Sequence, residues 1–410
     1  MNPSSSHAVL ILEQDGIGWS IAEARKLRGL TQEGLALLVP CSKSLISQVE
    51  RGARPATPSF VASVARALHV DLATLLGQPY RGTTEKADRV HAGIPDVRVA
   101  MNYWDVPPDL AVAPRSLEVL RAEVAKVGRY LDTVDYIRLG GHLPGLIEEL
   151  SGVFHASAGR DREVSAELLM YLFVAAKSMA YRLGYVDLVT VAVERATWAA
   201  METGLAELMA FVAEERCQVF FATGAYNSGM KFVGNALDEY VPEIIGSRSG
   251  LAIAGSLHLR SAIMAARCPK QRGTAWDHLA HAGDYAQRIG ADTNDYGLIF
   301  GPTNVKIHEV ATAIELDDPD EALRRAEGFA PPPDLPAERS SHHYIDLARA
   351  QFLAGQRDSS FRSLQTADKL APQHTRNHPM ARETMTALIR AHRMLPEPMR
   401  LMARKMGVTQ

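Results

Sequence analysis

Between Leu30 and Gly52 the chain reads "LTQEGLALLVPCSKSLISQVERG", and its most informative polar chemistry is gathered there. Leu45, Ile46 and Val49 fall on one arc of a helical projection and leave Ser42, Lys43, Ser44, Ser47, Gln48 and Arg51 on the other. Hydroxyls, an amide and cations in that arrangement make hydrogen bonds and ion pairs. Candidates for bond-breaking chemistry are sparse elsewhere. His278 and His281 are three apart, His342 and His343 adjoin, and His374 and His378 are four apart, a spacing that holds zinc when an acid or thiol completes the set. No set is complete along the sequence, and fourteen histidines give chance pairs, so these read as surface or capping residues. Neither a metal nor another cofactor is expected. No dinucleotide fingerprint or nucleophile elbow occurs, and "RLGGH" lacks the strand and lysine that a phosphate loop needs. The chain is not expected to be an enzyme.

Short helices must hold the polar arc in place. Ile21, Ala24, Leu27 and Leu30 recur at helical spacing, with Arg25, Lys26 and Arg28 on the remaining side. Thr31 stands as N-cap of a second helix whose Leu35, Ala36 and Leu38 face inward and which ends at Pro40. Ser42 caps a third, closed by Gly52. Thr57 before Pro58 opens a fourth carrying Phe60, Val61, Val64 and Leu68, and Asp71 caps a short fifth.

Five small helices with a tight central pair resemble the Cro/repressor, or XRE, class of helix-turn-helix domain. The likeness rests on Thr31-Gln32, Leu35-Ala36, Ser42, Ile46-Ser47, Glu50 and Gly52 at the offsets that motif requires. By resemblance, Thr31 and Gln32 would meet a phosphate, and Lys43, Ser44, Ser47 and Gln48, with Ser42 and Arg51 beside them, would face the major groove of double-stranded DNA. The resemblance also implies an internal ion pair between Arg25 and Glu50, and removing one partner would cost about 3 kcal/mol. Pro40 stands where the family has a turn glycine, so the turn must take another backbone path.

Residues 15–77 therefore form the expected DNA-binding domain. Residues 78–115, rich in prolines and turn formers, read as a linker holding one short helix that starts near Pro95 and carries Val97, Val99, Ala100, Tyr103 and Trp104. Residues 116–410 read as helix after helix, giving an all-α protein. "YIDLARAQFLAGQRDSSFRSLQTADKLAP" places Tyr344, Leu347, Ala348, Gly355, Leu364, Ala367 and Pro372 as a tetratricopeptide repeat would, and the same glycine-to-alanine step joins Gly184 to Ala196 and Gly224 to Ala236. "RLGGHLPGLIEEL" is expected to begin this degenerate solenoid. Its concave face would present Tyr181, Gln218, Arg260, Arg267, Asn304, His308 and Arg349 to an effector.

The totals agree with that division. The 410 residues suit more than one core, and a net charge of −3 excludes wholesale polyanion binding. From Trp19 to Tyr80, however, seven basic residues face four acidic ones, a local net of +3. So few cations imply a homodimer for useful DNA affinity. Cys41, Cys217 and Cys268 lie far apart without a CxxC pair, which fits a reducing, cytoplasmic setting. Neither a secretory leader nor ~18 uninterrupted apolar residues is seen, and no membrane partner is expected. In architecture the chain resembles helix-turn-helix regulators with tetratricopeptide arrays, including the peptide-pheromone receptors, which implies a transcriptional regulator sensing a peptide or small-molecule effector. A scaffold that holds a protein partner is the alternative.

Overall fold

A computed structural model of the chain describes residues 16–80, 89–106 and 108–408. The head comprises α1 (Ile17–Leu27), α2 (Gln32–Leu38), α3 (Lys43–Glu50), α4 (Pro58–Leu68) and α5 (Leu72–Leu75). Local chemistry fixes where three of these begin. The hydroxyl oxygens of Thr31, Ser42 and Thr57 accept hydrogen bonds from the N–H groups of Gly34, Leu45 and Phe60 at 3.0, 3.2 and 3.3 Å. Asp71 occupies the fourth such position, but its side chain makes no capping bond. Ile21, Leu35, Ile46, Val61, Val64 and Leu68 are fully buried together, each stabilising the head by roughly 1.5–3 kcal/mol.

Two expected core positions are corrected. Leu27 is 87% exposed and Leu38 57% exposed. The reason for Leu38 is Pro40, which disfavours helical backbone in the residue before it. Val39 accordingly lies at φ −123° and ψ 148°, outside the helix, and its side chain fills the inward place at 5% exposure.

The linker helix is α6 (Ile94–Ala100). It buries Ile94, Val97 and Ala100, whereas Val99, expected to pack, is 53% exposed. Trp104, beyond its end, meets the edge of Trp198 at 5.4 Å between ring centroids and lies under the Arg195 guanidinium at 4.3 Å.

The array follows as α7 (Leu117–Asp132), α8 (Tyr136–Ala156), α9 (Gly159–Leu183), α10 (Val186–Thr203), α11 (Ala206–Thr223), α12 (Tyr226–Ile244), α13 (Arg248–Arg267) and α14 (Ala275–Ile289), then α15 (Pro302–Glu315), α16 (Pro319–Ala326), α17 (Ala337–Leu353), α18 (Arg357–Leu370), α19 (Pro372–Asn377), α20 (Pro379–Ala391) and α21 (Glu397–Met406). Consecutive helices pack as pairs, and α11, α13, α15 and α17 also pack side by side as an inner row. "RLGGHLPGLIEEL" lies in α8, which pairs with α7, the first helix after residue 116. Buried alanines Ala196, Ala236, Ala348 and Ala367 allow the close crossings. Gly159–Leu183 is long and apolar enough to cross a membrane, but 78% of its most apolar window is buried in this fold, where it serves as a core helix. Among the described residues the sole non-helical pairing is an isolated bridge between Thr293 and Phe300.

The head is seated on the array. The Arg54 guanidinium pairs with Asp317 at 2.9 Å, the Ala56 N–H donates to the buried Glu383 carboxylate at 3.1 Å, and α5 packs on α11. Just beyond α5, Tyr80 lies under the Arg382 guanidinium at 3.4 Å.

Candidate nucleic-acid interface and effector cavity

The α3 face opposite Ile46 and Val49 is turned away from the head's core. Ser42, Lys43, Ser44 and Arg51 are exposed, and Ser47 and Gln48 are half-buried. Short-range bonds preorganise them. Gln48 Nε2 donates to Ser44 Oγ at 3.3 Å, Arg51 Nε to the Ser47 carbonyl at 3.1 Å, and Lys43 Nζ pairs with Glu33 at 3.3 Å.

Arg25 makes the expected pair with Glu50, through Nε at 2.6 Å and Nη2 at 2.9 Å, and also donates to the Leu30 carbonyl at 2.7 Å. Burial alone would raise the Glu50 carboxyl, but the Arg25 and Gln32 hydrogen bonds and the Arg25 charge outweigh it and hold the group below its usual range. Gln32 thus has a further partner, its Nε2 donating to Glu50 Oε2 at 2.7 Å. Its side chain braces α2 against α3, while Thr31 Oγ1 accepts the cap bond from Gly34 N–H and keeps its O–H available to donate.

A cavity of about 200 Å³ lies where head and array meet. Tyr181, Gln218, Arg260, Arg267, His308 and Arg349, named from repeat register, all line it, the head contributes Pro58, Leu72 and Leu76, and the start of the linker contributes Gln78. Asn304 does not line it; its amide donates to the Ile299 carbonyl at 2.7 Å. A second cavity of about 470 Å³ adjoins, and Arg182, Gln218, Arg260, Glu338 and Arg339 belong to both walls.

The walls are heavily charged and mostly paired. Arg267 and Arg349 each reach Glu315 at 2.9 Å, Arg349 also reaches Asp346 at 3.0 Å, Arg260 pairs with Glu214 at 2.7 Å, and Arg182 with Glu338 at 2.9 Å. Burial works to raise the Glu315 carboxyl, yet the two guanidiniums overcome it and hold it at about 2. Arg339 is different: its Nε is buried without a hydrogen-bond partner, and burial lowers its proton affinity. His308 is likewise pushed well below its ordinary range by burial, its Nδ1 facing the Asn304 carbonyl at 2.9 Å.

Arg182, Glu315, Glu338, Arg339 and Asp346 also line the wall, at positions that repeat register does not single out. A signal was present in α17, where Glu338, His342, Asp346 and Arg349 recur at steps of four, four and three along one face of an inner helix. The reading of the histidines as surface residues is corrected too. His374 is 5% exposed and His343 1%, and the fold brings His342 beside His374 and His378.

Residues 17–76 match the family model described as a helix-turn-helix domain. Among solved structures, the chain is similar to Bacillus thuringiensis PlcR in its crystal structure with the peptide PapR7 and DNA, at 12% identity over 83% of this chain and 99% of that one, with a TM-score of 0.31. Among curated proteins, none matches. The N-terminal head of this all-α chain is a helix-turn-helix domain of the XRE type, and a helical-repeat region follows it.

Proposed function

We propose that the protein is a sequence-specific, DNA-binding transcriptional regulator, active as a homodimer, whose helical array senses an anionic peptide or small molecule. One observation carries the reading: the head turns the polar face of α3 to solvent while Pro58, Leu72 and Leu76 on its other side close the cavity. Its charge supports the same use, a head of net +3 on a chain of net −3 concentrating positive potential where a duplex would lie. Seven basic residues neutralise few phosphates, and two heads on half-sites about 34–36 Å apart supply the affinity that one lacks.

The effector's charge follows from the cavity wall. Four arginines there already have carboxylate partners, and the exception, Arg339, stands at the junction of the two chambers, where a carboxylate or phosphate would complete it. A ligand filling the first chamber touches head and array together, so it changes how the head is seated. Coupling of this kind is worth about 1–3 kcal/mol.

Binding of the full-length protein to duplex from its own upstream region, with Ser44 and Gln48 both changed to alanine, tests the DNA reading. Each good contact to a base edge discriminates by about 1–3 kcal/mol. Preference for the specific over a scrambled duplex should fall at least roughly tenfold in the variant, while salt-sensitive nonspecific binding stays. Unaltered preference would remove α3 from sequence readout.

A further inference from the structure

Three histidines far apart in sequence converge on the wall of the first cavity. His342 lies on α17, one turn after Glu338 and one before Asp346, while His374 belongs to α19 and His378 precedes α20. The ring centroids of His342 stand 5.9 Å from His374 and 5.1 Å from His378, and those two are 5.3 Å apart. Each offers a ring nitrogen, and the three nitrogens lie within 4.8 Å of one another. His374 Nε2 and His378 Nδ1 are buried without a hydrogen-bond partner. An orphaned polar atom costs about 1–3 kcal/mol, and two in one cluster call for a ligand that accepts electron pairs.

We infer that His342, His374 and His378 form a binding site for a divalent transition-metal ion of the zinc class, with its fourth position open to the cavity. The site lies outside the head and stands whether or not the chain regulates transcription. Imidazole nitrogen suits zinc, copper, iron and nickel and does not suit calcium or magnesium. Nitrogens bound to tetrahedral zinc at 2.0–2.1 Å sit roughly 3.4 Å apart, so closing the site takes ring rotations moving each donor by about an ångström. A carboxylate stands near one ligand: Asp346 Oδ2 lies 3.6 Å from His342 Nε2, from where a small ring rotation would bring it into the hydrogen bond by which an acid orients a metal-bound imidazole. Glu338, 4.0 Å from His374 Nε2, adds a second negative charge that offsets the dication against Arg182 and Arg349.

The test uses full-length protein stripped with a chelator, dialysed against Zn²⁺ or Co²⁺ and assayed for bound metal. One ion per chain should be retained, Co²⁺ should give the strong visible absorption of a four-coordinate site, and Tm should rise with metal. Buried His374 is left intact; the half-buried positions are changed instead, as His342→Gln and His378→Gln. Each should lower Co²⁺ affinity by at least about 100-fold with helix content unchanged, and His142→Gln, on an exposed surface, should leave it unaltered. Failure of the wild-type chain to retain metal or gain stability, or equal Co²⁺ affinity in the two cavity variants, overturns the inference.

Discussion

Glu315 is held between two buried guanidiniums, and acid should expose the contribution they make. Its carboxyl sits at about 2 against an ordinary 4.5, because Arg267 and Arg349 outweigh the burial that would raise it. A carboxyl depressed by folding stabilises fully above its unfolded value, and that stability is lost as pH falls from about 4.5 towards 2. The linkage is worth about 3 kcal/mol. Glu315→Gln should therefore melt well below the wild type at pH 7, with the buried Arg267 guanidinium left uncompensated and Arg349 left with Asp346 alone, and the gap should narrow in melts taken between pH 5 and 3. A gap independent of pH would show that the loss is one of packing. The same residue shows what sequence reading could not reach. The caps at Thr31, Ser42 and Thr57 were legible because each partner lies three residues on. Glu315 meets its guanidiniums across 48 and 34 residues, which no local pattern encodes.

Among the helices, two glycines offer a matched pair. Gly204 ends α10 at φ +66° and Gly224 ends α11 at φ +69°, so alanine at either position carries the same left-handed backbone strain, about 1–2 kcal/mol. Their surroundings differ. A Cβ on Gly204 would meet nothing within 4 Å, whereas one on Gly224 would lie 2.8 Å from Ala62 Cβ on α4. Gly204→Ala should lower Tm alone; Gly224→Ala should lower Tm and also unseat the head, read as faster amide exchange through α4 and α5. Equal exchange in the two variants would mean that the contact yields without moving the head. Helix existence, the turn glycines and the small residues at the crossings were legible because a period of 3.6 and a glycine at the end are local signals. Val99 and Leu38 were misread because periodicity identifies an apolar arc without saying which neighbour arrives to cover it, and because Pro40 ended α2 early.

The seating of head on array belongs to the whole molecule, and nothing in the order of residues announces it. Each contact, Arg54 with Asp317 or Ala56 with Glu383, joins segments more than 250 residues apart. The cavity this creates holds a residue that folding alone does not justify. Arg339 keeps a guanidinium nitrogen buried and unbonded at the junction of two chambers, a cost that a bound anion would offset. If that is its use, stability and recognition should separate on substitution. Arg339→Gln should raise Tm in buffer free of multivalent anions, since a desolvated charge is removed and Glu338 keeps Arg182 as partner. Inorganic phosphate as a probe anion should stabilise the wild type in proportion to occupancy and leave the variant unmoved. DNA affinity in the absence of anion should be the same for both chains, because α3 and its capping residues lie outside the cavity. A variant that melts lower than the wild type and still responds to phosphate would make Arg339 a packing residue and move the anion's counterpart elsewhere on the wall.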